Sequence, residues 1–449
     1  MLELIYDRGT ILLKTGELIS LPEFFKFDQR VNCFRALAFR YRETVEYLEK
    51  ARIYFRDKVL EISSTPIKPV REVRLRSYQK AALKAWENNG KKGIIVLPTG
   101  AGKTRIALAA IASVSAPTLI VVPTLELMDQ WERRLARFFN CKIGRFGGGK
   151  KNLEVLTIAT YDSAYIYAEK LGNKFMLIVF DEVHHLPSPG YRQIAELNAA
   201  PYRLGLTATP EREDGLHVDL SLLVGPIVYR LRPRHLAGRY LADFDVVKIK
   251  VKLKEDEKEK YKTLMEKYRK YLESRGIRLK SVKDFEKLVM KSGLDREARE
   301  ALLAWREARK IAFNASQKIE VLKEILAKHR GDRVIIFAEN NEVVRMISLR
   351  FLIPEITYKT GGEERKAIME KFRKGEINVV VTSRVLEEGV DVPEANVAIV
   401  LSGTGSRREF IQRLGRILRP KEGKRAILYE LVTSGTTETR ISRKRRKGI

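Results

Sequence analysis

The segment Leu97-Pro98-Thr99-Gly100-Ala101-Gly102-Lys103-Thr104 places two glycines, a lysine and two hydroxyls between an apolar run, GIIVLP, and a second stretch, RIALAAIA. This composition suits a polyphosphate. Glycines let backbone N–H groups turn toward phosphate oxygens, and a helix opening at the lysine adds positive potential. Thr99, Gly100, Ala101 and Gly102 would form the cradle. Lys103 would reach the β- and γ-phosphates, and the Thr104 hydroxyl would hold Mg²⁺. Leu97 departs from the pattern, which begins with glycine; the inner Gly100 to Thr104 is intact.

A second constellation closes the apolar run FMLIVF: Asp181, Glu182, Val183, His184 and His185. An acidic pair at the C-terminal edge of a parallel strand lies where doubly wound sheets bind ligands. Asp181 would complete the Mg²⁺ shell, largely through water. Glu182 would orient and polarise an attacking water as general base. Adjacent histidines on one loop rarely ligate together, which favours His184 as a coupling residue over a metal ligand.

These groups need elements to position them. From 66 to 232, the apolar runs GIIVLP, TLIVVP, VLTIAT, FMLIVF and YRLGLTAT alternate with amphipathic stretches. That alternation predicts a doubly wound α/β domain with a parallel sheet covered on both faces. The same alternation returns from 313 to 449 with RVIIFAE, INVVVTS, ANVAIVLSG and RAILYELV. Between them, 233 to 312 reads as almost pure helix without a strand candidate, hence an inserted helical subdomain. There Tyr261, Leu264, Met265, Tyr268, Tyr271 and Leu272 recur at three- and four-residue steps, a spacing that favours core over base stacking for these tyrosines. Residues 1 to 65 combine short alternating strands (ILLKTGELISL), a helical stretch (FRALAFRYRETVEYLEKA) and a linker, SSTPIKP.

Composition narrows the partners. Lys and Arg number 86 against 57 Asp and Glu, a net charge of +29. An excess of this size attracts polyanions, of which phosphate backbones are the obvious ones. The closing cluster Arg440, Arg443, Lys444, Arg445, Arg446 and Lys447 fits either a frayed end or a DNA contact. No long apolar run predicts a membrane span. Two cysteines, Cys33 and Cys141, make neither a disulfide framework nor a zinc site, and a reducing cytoplasm is expected.

The glycine loop and the Asp-Glu strand end together resemble the helicases of superfamily 2, and further segments of that family's pattern follow in order. Arg76 and Gln79 resemble the adenine-reading segment, where a Gln amide pairs bidentately with the base. Segments 121–131, with Pro123 and Thr124, and 157–164, with Thr160, resemble loops that hold the nucleic-acid backbone. Thr207-Ala208-Thr209-Pro210 resembles the segment linking hydrolysis to strand movement. Segment 382–403, from Thr382, resembles the coupling motif, with Glu388, Gly389 and Asp391 between nucleotide and nucleic acid. Gln412-x-x-Gly415-Arg416-x-x-Arg419 matches the family's closing motif, which implies arginine fingers at Arg416 and Arg419 beside a catalytic Gln412.

Arg212-Glu213-Asp214 directly after that Thr-Ala-Thr-Pro segment marks the XPB branch, in its compact archaeal layout. The resemblance implies two RecA-like P-loop lobes, a small N-terminal α+β domain sensing distorted DNA, and a helical thumb. It implies an ATP- and Mg²⁺-dependent DNA helicase, 3′ to 5′ in polarity, serving nucleotide excision repair or transcription. Implied partners are single- and double-stranded DNA junctions and a separate nuclease, the chain being a monomer or half of a heterodimer. Two other readings stay open: a duplex translocase that separates no strands, and an ATP-gated DNA-binding scaffold.

Overall fold

Apolar runs with no polar face belong in sheets covered on both sides, and nine of the fourteen described strands in the two larger sheets fall on the runs named above. The computed structural model describes the chain apart from residue 1 and residues 17–18, 63–66, 213, 237–239, 241–242, 280–281, 384–394, 403–424 and 447–449. It divides into one unit of residues 1–231 and another of residues 232–449.

The first unit opens with strands β1 (Leu2–Asp7), β2 (Thr10–Lys14), β3 (Lys26–Asp28), β4 (Cys33–Leu37) and β5 (Phe55–Lys58), in sheet order β3-β4-β2-β1-β5. Helix α1 (Tyr41–Lys50) supplies Leu48 to a core with Leu4, Ile11 and Leu13. The helix expected from Phe34 onward therefore starts late. Its first residues form β4 because they pair on both sides, with β2 and with β3. This small domain sits on the rest of its unit: the Tyr6 hydroxyl donates to the carbonyls of Glu169 (2.8 Å) and Leu197 (3.0 Å).

The main sheet of this unit runs β13-β6-β12-β11-β7-β10-β8-β9. Its strands are β6 (Lys92–Val96), β7 (Thr118–Val122), β8 (Ile143–Gly147), β9 (Lys150–Asn152), β10 (Leu156–Thr160), β11 (Leu177–Asp181), β12 (Tyr202–Thr207) and β13 (Ile227–Arg230). All neighbours are parallel except β8 and β9. Strands β8, β9 and β13 interleave Gly, Lys or Arg and were not legible as apolar runs. Helices α2 (Ser77–Asn88), α3 (Lys103–Val114) and α4 (Leu125–Phe138) connect the central strands; α5 (Tyr161–Ile166), α6 (Ala168–Leu171), α7 (Arg192–Glu196) and α8 (Leu220–Leu223) are short. Arg203 of β12 is fully buried, and its guanidinium donates to the carbonyls of Ala195, Asn198, Ala200 and Leu223. Burial pushes it down to about 10, so it stays charged at neutral pH.

The second unit holds a parallel sheet in order β14-β19-β18-β15-β17-β16, built from β14 (Asp243–Val251), β15 (Val334–Phe337), β16 (Glu355–Ile356), β17 (Val379–Thr382), β18 (Val397–Val400) and β19 (Arg425–Thr433). Strand β14 corrects the expectation of an all-helical 233–312. It pairs residue for residue with β19 from Asp243 to Val251, and that distant partner overrides the helix-like charge pattern around it. Helices α9 (Glu255–Ser274), α10 (Val282–Lys291) and α11 (Arg296–Phe313) then follow and bury Tyr261, Met265, Tyr268 and Tyr271 in a core of their own. Those tyrosines are core residues, as their spacing favours. Helices α12 (Ser316–Lys328) and α13 (Asn341–Phe351) pack the sheet, and α14 (Gly362–Lys374) buries Met369 and Phe372. The closing helix (Thr437–Arg446) is tied down by Glu438, which accepts from the buried Lys318 Nζ at 2.8 Å. Among the described residues no helix is long and apolar enough to cross a membrane.

Candidate nucleotide site and its coupling residues

Strand β6 ends at Val96, and the chain turns through Leu97 and Pro98 into the glycine loop. Gly100 (φ +84°) and Gly102 (φ +78°) take left-handed conformations that a side chain resists, and α3 starts at Lys103. Leu97 is satisfied differently: its N–H donates to Thr207 O at 3.0 Å and its side chain is buried, so nothing there requires glycine. A Cβ on Gly102 would stand 2.5 Å from Nε2 of Gln79. That nitrogen donates to Ala101 O at 2.9 Å, the Tyr78 hydroxyl donates to the same oxygen at 2.8 Å, and Gln79 Oε1 accepts the Arg76 N–H at 2.9 Å. Gln79 is thus clamped to the loop, with one amide hydrogen and one lone pair left to read a base edge. The Thr99 hydroxyl is buried without a protein partner.

Strand β11 carries Asp181 to the same edge of the sheet. Glu182 follows with φ +49°, a left-handed conformation costing a non-glycine residue about 1–3 kcal/mol and concentrated at functional sites. Its carboxylate lies 3.8 Å from Lys103 Nζ and 3.5 Å from His184 Nδ1. Lys103 Nζ also donates to Leu97 O at 3.4 Å. Asp181 accepts the Glu182 N–H (3.1 Å) on one oxygen and the Trp131 indole N–H (2.8 Å) on the other. The Thr104 hydroxyl accepts Nη1 of Arg134 at 2.7 Å.

From this pair a chain of contacts leads to the Thr-Ala-Thr-Pro segment. His184 is fully buried, with Nδ1 3.0 Å from the Thr207 hydroxyl, which donates to Thr209 O (3.1 Å) and accepts the Thr209 N–H (3.2 Å). With the hydroxyl proton spent on Thr209 O, Nδ1 is left to donate to that hydroxyl. His184 is thereby placed as the link between Glu182 and Thr207. The Thr209 hydroxyl is buried without a protein partner. Arg212 Nη1 donates to His184 O (2.7 Å) and to Ser188 Oγ (3.2 Å), and its guanidinium pairs with Asp214, whose carboxyl it holds below the usual range. Glu213 lies outside the described residues.

The two loops expected to hold a nucleic-acid backbone also touch this edge. Thr124, after Pro123, caps α4 by accepting the Leu127 N–H at 3.3 Å. Thr160 caps α5 by accepting the Ser163 N–H at 3.2 Å. The next residue, Tyr161, is buried and donates to Asp181 O at 3.1 Å. In the second unit Thr382 is fully buried at the end of β17, its hydroxyl donating to Ile356 O at 2.9 Å. Glu388, Gly389, Asp391, Gln412, Arg416 and Arg419 lie outside the described residues. Sequence reasoning gave no chemistry to Tyr78, Trp131, Arg134 and Tyr161. The available signal was position: Trp131 and Tyr161 lie within segments 121–131 and 157–164, and Tyr78 lies between Arg76 and Gln79.

Three family models match the chain: the Xeroderma pigmentosum group B helicase damage recognition domain over residues 4–59, the type III restriction enzyme res subunit over 72–212, and the ERCC3/RAD25/XPB C-terminal helicase over 300–449. The chain is 49% identical to a DNA 3′-5′ translocase XPB2 of Sulfurisphaera tokodaii, covering all of both chains. It is 33% identical to a DNA 3′-5′ helicase XPB of Mycobacterium tuberculosis, over 83% of this chain and 63% of that one. In structure it is similar to the Pyrococcus furiosus Hef helicase domain, with a TM-score of 0.53 and 22% identity over 83% of this chain and 98% of that one, a likeness that speaks to fold: two helicase lobes with parallel sheets. Matched from its N-terminal sheet to its closing helix, the chain belongs to the XPB family of DNA helicases.

Proposed function

We propose that this chain is a DNA-dependent ATPase that moves 3′ to 5′ along DNA and separates strands in nucleotide excision repair or transcription. One observation carries this reading beyond family membership: the line Lys103–Glu182–His184–Thr207 joins the phosphate loop, the water-directing carboxylate and the coupling segment through contacts of 3.8, 3.5 and 3.0 Å. A phosphate on Lys103 would take that amine from Glu182, and the change would reach Thr209 through His184.

In this reading Gln79 and Arg76 face the base, and Thr99 to Thr104 face the phosphates. Thr104 and Asp181 would hold Mg²⁺, since a hydroxyl and a carboxylate are the hard oxygen donors that cation takes. Bound there, Mg²⁺ would neutralise charge on the β- and γ-phosphates. Arg416 and Arg419, with Gln412, would stabilise charge on the departing γ-phosphate, and Glu388, Gly389, Asp391 and Thr382 would couple hydrolysis to DNA. Pro123, Thr124 and Thr160 would hold the backbone. We divide the chain into a damage-sensing domain (1–65), lobe 1 (66–232), a thumb and lobe 2, with β14 given to lobe 2's sheet. Cytoplasmic location and a separate nuclease partner complete the reading.

A second reading, duplex translocation without strand separation, is favoured by the name of the 49% identical relative, a translocase. One pair of assays decides. ATPase rate should rise on adding DNA, and a 3′-tailed duplex should lose its short strand when ATP is present. Hydrolysis with displacement of a triplex third strand, but never of a duplex strand, selects the translocase. ATP binding with no DNA-stimulated turnover would leave only the ATP-gated scaffold.

A further inference from the structure

Helix α4 touches both oxygens assigned to Mg²⁺. Trp131 and Arg134 sit three residues apart on one face; Trp131 donates to Asp181 Oδ2 at 2.8 Å and Arg134 to Thr104 Oγ1 at 2.7 Å. The two contacts differ in kind. An indole N–H occupies one lone pair of a carboxylate that has others to offer. A guanidinium on a hydroxyl oxygen sets a full positive charge at the oxygen a divalent cation must take, and two cations do not share it. They differ in anchorage too. Trp131 is fully buried, whereas Arg134 is exposed on the helix surface. The N-terminus of the same helix is the Thr124 cap, in the loop read as a DNA-backbone grip.

We propose that Arg134 is a positioning residue that keeps Thr104 closed to Mg²⁺ in the absence of DNA, and that DNA engagement at residues 123–127 moves α4 and withdraws it. Trp131 is the fulcrum: it holds Asp181 in place while the arginine turns out. Part of the DNA dependence of hydrolysis is then built into the first lobe alone. This inference rests on the nucleotide-site reading above.

The test measures equilibrium binding of a fluorescent, non-hydrolysable ATP analogue while Mg²⁺ is titrated, with and without duplex DNA. Wild type, Arg134→Ala, Arg134→Gln and Arg133→Ala are compared. Without DNA, both Arg134 variants should reach half-saturation at about fivefold less Mg²⁺ than wild type, because no blocked state remains to be opened. Adding DNA should shift the wild type downward and the Arg134 variants by less than about twofold. Arg133→Ala removes the same charge from the same helix without touching Thr104 and should track wild type. Equal Mg²⁺ requirements in Arg134→Ala, Arg134→Gln and wild type overturn the inference, as does a raised requirement in the variants. A wild type that binds the analogue with no dependence on Mg²⁺ would instead overturn the nucleotide-site reading. Melting curves of all four proteins separate either result from loss of fold.

Discussion

The indole of Trp131 donates its N–H to a carboxylate oxygen of Asp181 across 50 positions of sequence, and both side chains are buried. A hydrogen bond to a charged group contributes about 1.5–3 kcal/mol, and losing the donor strands the acceptor. Trp131→Phe keeps the ring and deletes only the donor. Turnover of the DNA-stimulated ATPase should drop about tenfold or more while KM for ATP stays within about threefold. A rise in KM at constant kcat would place Trp131 in binding instead.

In the proposed site, Glu182 and Lys103 divide chemistry from binding. Glu182→Gln should retain nucleotide affinity and lose at least about a hundredfold in turnover, the usual size of a general-base effect. Lys103→Ala should lose hydrolysis altogether. Single-turnover phosphate release from Glu182→Gln near the wild-type rate would remove the base assignment.

Arg212 links the strand-end loop at His184 O to the following segment through Asp214. Arg212→Ala should therefore lower strand displacement more than ATP hydrolysis. The quantity to measure is ATP consumed per base pair opened, expected to rise at least about threefold. An equal fall in both activities would make Arg212 structural.

Lys318 and Glu438 form a fully buried ion pair in the second unit, and the lysine also donates to the carbonyls of Phe313 and Leu401. Lys318→Met leaves the Glu438 carboxylate buried without its counter-ion, keeping the Thr433 N–H as donor, at a cost of about 3–5 kcal/mol. Urea unfolding should show this loss, and adding Glu438→Leu should recover most of it. A double variant as unstable as the single would locate the penalty in the carbonyls.

Asp28 accepts from Arg30 and Arg35, and these bonds, Arg30's foremost, hold its carboxyl far below the ordinary range. A carboxyl depressed in the folded state contributes stability present above its unfolded pKa of about 4 and lost as pH falls. Protection factors of the β3 and β4 amides, which divide out the pH dependence of chemical exchange, should thus fall as pH drops from about 5 toward about 2. Asp28→Asn should flatten that dependence; a wild-type slope in the variant would assign it to other carboxylates.

The nucleotide loop was legible because its geometry dictates residue type locally. Left-handed turns at Gly100 and Gly102 select glycine, a helix must open at Lys103, and a fully buried strand must be apolar. β14 was not legible: its lysines sit in a charged stretch, and only pairing with β19 makes it a strand. The early residues of the supposed first helix failed for the same reason, being claimed by two neighbouring strands.

By itself the sequence determined the motifs: a glycine loop closing on a lysine, an acidic pair at a strand end, and an order of segments shared with the XPB family. Only the tertiary structure decided which side chains hold those groups. Trp131 meets Asp181 and Arg134 meets Thr104 because α4 packs across the ends of distant strands. Such contacts depend on sheet order, and sheet order is set by the burial of whole strands rather than by any local signal.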